Sequence, residues 1–273
     1  MSMHLEPSIR TALFVPGSRP ERFDKAIATG ADTIIVDFED AVEESMKRQA
    51  REHLGIYLTA NPGLRMVVRV NASEHHEHES DLDFCGRFPE VSVILLPKAE
   101  SADQVARAAA TGKRIWPLIE SAKGLEFLPA IASVSGVERL TFGALDLGLD
   151  LGMRAQSAAA GRIFDQVRYE ILIATARSKL ARPLDTVFPD FSNLEGLARF
   201  AQDASDRGFG GMLCIHPSQV MVVNTVFEPT VQEIDWARRV VDGAEGGVGA
   251  FRLDGKMIDA PVIAAARRLL RSL

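Results

Sequence analysis

Glu120 closes the apolar run 115–119, and Asp146 follows the largely apolar run 139–145. Each run is short enough for a strand, and a helical pattern follows each. An acid at the end of a strand, just before its helix, lies at the mouth of a parallel sheet. Two consecutive strands of this kind form one βαβ unit and set their acids side by side. Paired oxygen ligands at that edge suit a hard divalent cation such as Mg²⁺. Arg69 ends the run 65–70, where a guanidinium can grip a substrate carboxylate through two hydrogen bonds. Metal plus arginine is a natural grip for a 2-oxo acid, stabilising an oxyanion or enolate.

Simpler roles compete for each of these residues. An acid after a strand is commonly the N-cap of the next helix, and Asp259, before Ala260-Pro261, has that look. Arg69 could pair with an acidic neighbour, and His216-Pro217 could merely cap a helix. The case rests on convergence. The strand ends also bring Ser18, Arg19, Asp37, Glu39, Asp40, Asn71, Lys98, Asp185 and His216 to one face, and that many acids repel unless a cation neutralises some. Residues 74–79, with three histidines and three acids, could bind zinc or nickel. They lack an apolar face to fix them on a helix and are expected to form a solvated loop.

Eight short apolar runs, at 11–15, 33–38, 65–70, 92–96, 115–120, 139–145, 183–187 and 211–215, alternate with helical patterns. This predicts an α/β fold, a TIM (β/α)₈ barrel, over an open sheet. No GxGxxG follows an early strand. The barrel is expected over 1–228. The remainder, 229–273, exceeds what a barrel needs and reads as a lid or oligomerisation arm: a helix over 230–243, a strand near 249–253, a turn over 254–257 and a last helix from 259. The 273 residues are 47% hydrophobic with a net charge of -6, and no basic stripe suggests nucleic acid. Two cysteines, no signal core and no apolar run long enough to span a bilayer predict a cytoplasmic protein without membrane association.

Ten stretches together resemble the citrate lyase β-subunit (CitE-like) family of the HpcH/HpaI aldolase superfamily. They are LFVPGSRPERFDKA (13–26), IIVDFEDAV (34–42), RVN (69–71), LLPKAES (95–101), LIESAKGL (118–125), LTFGALDLGLDLG (140–152), DTVFPDF (185–191), EGL (195–197), GFGGMLCIHPSQV (208–220) and GKMIDAP (255–261). They occur in the family's order along nearly the whole chain. The resemblance implies a Mg²⁺-dependent carbon–carbon lyase (an oxo-acid-lyase) that cleaves an acyl-CoA thioester of the citramalyl-CoA, malyl-CoA or citryl-CoA type to acetyl-CoA and a 2-oxo acid. It implies a homotrimer or hexamer. It places the metal on Glu120 and Asp146, substrate on Arg69, and the acid/base on Asp259, contributed by a neighbouring subunit. Ser18, Arg19, Lys25, Asp40 and Lys47 are its candidates for CoA contacts. The family usually reads GAEDL where this chain has Leu145 before Asp146. The alternatives are a citrate lyase β-subunit acting on citryl groups carried by an acyl carrier protein, and a non-catalytic barrel serving as a binding or assembly partner.

Overall fold

Alternation along each strand decides which side chains meet inside the sheet. In the computed structural model, which describes residues 9–154, 157–245 and 250–271, eight parallel strands close in sequence order. They are β1 (Thr11–Pro16), β2 (Thr33–Asp37), β3 (Met66–Arg69), β4 (Val91–Leu96), β5 (Arg114–Ile119), β6 (Thr141–Phe142), β7 (Leu184–Asp185) and β8 (Gly211–Cys214). Pairing of β1 with β8 seals the ring. Ala12, Ile35, Val67, Leu95, Trp116, Leu118, Leu184 and Leu213 fill the interior. The residues between them, such as Leu13, Val36, Val68, Ile94 and Ile119, pack outward under the helices. This is the expected (β/α)₈ barrel.

Three local expectations change. The sixth strand stops at Phe142, and the helix Ala144–Asp150 starts directly after Gly143, so Asp146 lies in a first helical turn. A carboxylate there also meets the positive end of the helix. Residues 78–87 form a helix whose inner face carries His78, Asp81, Leu82, Phe84 and Cys85. Its mixed polar face concealed the helical period. The expected turn over 254–257 is the bend of a hairpin, β9 (Phe251–Leu253) with β10 (Lys256–Ile258). Asp254 and Gly255 both take positive φ, 47° and 78°, as a tight hairpin turn requires. Gly249, where a strand was expected to begin, lies outside the described residues.

Beyond the barrel, the helices Val231–Ala244 and Ala260–Arg271 and the hairpin share a small cluster of their own, centred on Ala237, Val240, Ile258 and Ala266. Glu228, at the entrance to this extension, is 3.8 Å from Arg10, just before β1. Burial and then the proximity of Arg268 hold the Arg182 guanidinium, just before β7, below its usual pKa. The extension therefore leaves the barrel beside the amino ends of the strands. Among the described residues no helix is long and apolar enough to cross a membrane.

Candidate active site

Parity puts Asp37, Arg69 and Glu120 above the barrel interior, because each stands two residues beyond an inward residue: Ile35, Val67 and Leu118. A cavity of about 680 Å³ opens there, lined by Phe14, Arg22, Lys25, Asp37, Asp40, Arg69, Glu120, Thr186, His216 and residues 143–146. Glu120 and Asp146 therefore share one cavity.

Glu120 is buried, at 4% exposure, and accepts one hydrogen bond at 2.8 Å from the Lys98 backbone N–H. Lys98 supplies it from a left-handed conformation, φ 47°, which is costly for a residue with a side chain. Burial, and then the charges of Glu39 and Asp146, push the Glu120 carboxyl up to about 8. Gly143 leaves room for that carboxylate, since a Cβ there would stand 2.5 Å from Glu120 Oε2. A crowded carboxylate with free oxygen, an acidic neighbour and a glycine cradle fit a hard cation. Glu120 and Asp146 would hold it.

Arg69 is not free to use both arms on a ligand. Its Nε and Nη2 each donate to Asp37 at 2.6 Å, and Nη1 faces Glu39 at 3.0 Å and Asp40 at 3.2 Å. Burial works against its charge, but Asp37, Glu39 and Asp40 outweigh it and raise the pKa. The expected two-pronged grip through the Nε edge is taken by Asp37, which leaves the remaining Nη hydrogens for substrate. Asp37 also accepts the backbone N–H groups of Glu39 and Ala41, fixing the loop after β2. Burial raises the Glu39 carboxyl, while Arg69 and the Lys98 ammonium, 2.7 Å away, draw it back.

The other expected residues divide. Lys25 and Asp40 line the cavity. Ser18 is half-buried and Arg19 exposed on the turn after β1, and neither lines it. Lys47 does not suit a CoA contact. It is buried, and its ammonium donates to Phe38 O, Glu39 O and Asn71 Oδ1. Asn71 is held in turn by Asp81 and is part of the same scaffold. Asp185 points outward, opposite to Leu184, and pairs with Arg168 at 2.8 Å under the helix Ala158–Ser178. Its place on the active face is corrected by that parity. His216 caps the helix Pro217–Phe227, stacks on Phe191 and also lines the cavity. Asp259 is not among the lining residues; its carboxylate accepts from Val262 N–H at the start of its own helix.

Sequence reasoning missed Arg22 and Thr186. Arg22 stands three residues before Lys25, one helical turn away, and that spacing was available. Thr186 Oγ1 accepts from Ala144 N–H at 3.0 Å and so ties the start of the Asp146 helix to β7. Nothing in the sequence marks that contact.

Residues 10–217 match the family model HpcH/HpaI aldolase/citrate lyase. A citrate lyase subunit beta-like protein of Mycobacterium tuberculosis is 38% identical over 263 residues, covering 95% of this chain and 93% of the relative. A (3S)-malyl-CoA thioesterase of Cereibacter sphaeroides is 32% identical, covering 98% and 95%. The crystal structure of CitE from M. tuberculosis in complex with magnesium, acetoacetate and coenzyme A superposes with a TM-score of 0.83 at 36% identity, covering 97% of this chain and 98% of that one. By fold and sequence, this chain belongs to the HpcH/HpaI aldolase/citrate lyase family.

Proposed function

We propose that this protein is a Mg²⁺-dependent carbon–carbon lyase that cleaves a β-hydroxyacyl-CoA to acetyl-CoA and a 2-oxo acid. The observation that carries the proposal is the buried Glu120, crowded by Glu39 and Asp146 on a cavity wall that also holds Arg69. The relative solved with magnesium, acetoacetate and coenzyme A supports both the ion and the thioester class. Arg22 and Lys25 at the cavity supply positive charge for the phosphates of such a ligand.

When bound by Glu120 and Asp146, the ion would polarise the carboxylate and hydroxyl of the substrate. Asp37 holds Arg69 so that its remaining N–H groups meet the negative charge of the 2-oxo acid. As the C–C bond breaks, the hydroxyl proton leaves to a base and the bonding pair passes to the acetyl fragment. Asp259 then protonates that enolate. Asp259 does not line the cavity of its own chain, and its extension leaves the barrel beside Arg10, at the end opposite the cavity. In this reading a second copy brings Asp259, in the homotrimer or hexamer that the family resemblance implies. The unpaired, buried Cys85 and Cys214 suit a cytoplasmic setting.

Thioester hydrolysis is the second reading, favoured by the (3S)-malyl-CoA thioesterase relative. Offering citramalyl-CoA, malyl-CoA and citryl-CoA with Mg²⁺ separates the two. A lyase releases acetyl-CoA and a 2-oxo acid, a thioesterase releases free CoA, and EDTA should stop the lyase. Silence on all three would overturn the acyl-CoA reading and favour a thioester carried on an acyl carrier protein.

A further inference from the structure

The histidine-rich segment 74–79 is not one solvated loop. His78 is buried, with Nδ1 2.7 Å from the Asn71 carbonyl, and Glu77 pairs with Arg51. His75 and His76 meet Glu44, which comes from the short turn Glu44–Met46 after β2. His75 Nε2 is 3.1 Å from one Glu44 oxygen and His76 Nε2 is 3.3 Å from the other. The two rings stack with centroids 4.5 Å apart. One ligand atom from each of the three residues lies within 4.8 Å of the others. The sequence hides this cluster, because about thirty residues and a whole βα unit separate Glu44 from the histidines.

We propose that Glu44, His75 and His76 form a surface site for a borderline divalent transition metal, Zn²⁺ or Ni²⁺, separate from the oxygen-lined pair Glu120 and Asp146. The donor chemistry distinguishes the two. Imidazole nitrogen suits Zn²⁺ and Ni²⁺, whereas carboxylates alone suit Mg²⁺. Two nitrogens and one oxygen leave a fourth tetrahedral position for water. Glu44 and His76 are exposed and free to close on an ion, and His75 is 27% exposed. Capture requires neutral imidazoles with a bare Nε2, so protons compete with the metal. It also moves the His75 proton to Nδ1, giving up a long 3.2 Å contact from Glu77 N–H. A bound ion would cross-link the loops after β2 and β3, whose strands end in Asp37 and Arg69.

The test adds Zn²⁺ to the full-length protein in a large excess of Mg²⁺ and measures Zn²⁺ uptake by equilibrium dialysis. Wild type should hold one equivalent, with two nitrogen ligands at about 2.0–2.1 Å by X-ray absorption. The double variant His75→Ala, His76→Ala should lose that equivalent, and Glu44→Gln should weaken it. No uptake by wild type, or equal uptake by the double variant, overturns the proposal. If the double variant fails to fold, Glu44→Gln decides, and an unchanged affinity there overturns it.

Discussion

Gly143 leaves Glu120 its place, because a Cβ at position 143 would stand 2.5 Å from Glu120 Oε2 and 3.1 Å from its Cβ. The atoms nearest such a Cβ all belong to the Glu120 side chain, so the carboxylate itself must move. Gly143→Ala should therefore weaken Mg²⁺ binding by roughly 10–100-fold while the barrel stays folded. Calorimetric titration with Mg²⁺, alongside a melting curve, checks both halves.

The pH dependence follows from the same carboxylate. In the metal-free protein the Glu120 carboxyl is raised from 4.5 to about 8, first by burial and then by Glu39 and Asp146. A raised pKa means the folded state holds the proton more tightly than the unfolded chain. This contribution to stability is complete below about 4.5 and fades as pH rises through about 8. Without metal, the melting temperature should fall across that window. Mg²⁺ should stabilise most at the alkaline end, where no proton competes. An equal Mg²⁺-induced shift at pH 6 and pH 8.5 would contradict this.

The Asp185–Arg168 pair serves the scaffold. Both side chains are buried, and the Arg168 guanidinium lies 5.4 Å from the Phe142 ring centroid and 5.1 Å from that of Phe200. Arg168→Met strands a buried carboxylate and should cost about 3–5 kcal/mol in denaturant unfolding. The Mg²⁺ titration of the folded variant should not change.

The barrel was legible because eight apolar runs at helix-separated intervals leave few other architectures. Glu120 was legible because an acid directly after a strand must sit at its mouth. Asp185 was misplaced because strand order alone does not give facing; parity from Leu184 would have turned it outward. Lys47 was a candidate for a CoA contact, yet its three acceptors, Phe38, Glu39 and Asn71, come from two neighbouring loops that only the fold assembles. The helix His78–Arg87 escaped because its inner face is built partly from His78 and Asp81, which read as surface residues. Leu145 is 56% exposed, so the missing family acid leaves no trace in the packing.

The proposed sharing of Asp259 between subunits has its own test. Asp259→Ala should lose turnover while still binding Mg²⁺. Glu120→Ala should lose both. Refolded together, the two inactive variants should recover part of the activity, because some assemblies then unite an intact cavity with an intact neighbouring Asp259. No recovery in a mixture shown to contain mixed oligomers would place the acid within a single chain.

The most direct test of the metal pair is a Mg²⁺ titration of wild type against Glu120→Ala, followed by calorimetry near pH 8. Wild type should bind one ion at the cavity, and Glu120→Ala should lose that binding while keeping its fold. A Glu120→Ala protein that binds Mg²⁺ as tightly as wild type would show that the ion is held elsewhere, and the lyase mechanism built on this pair would fail.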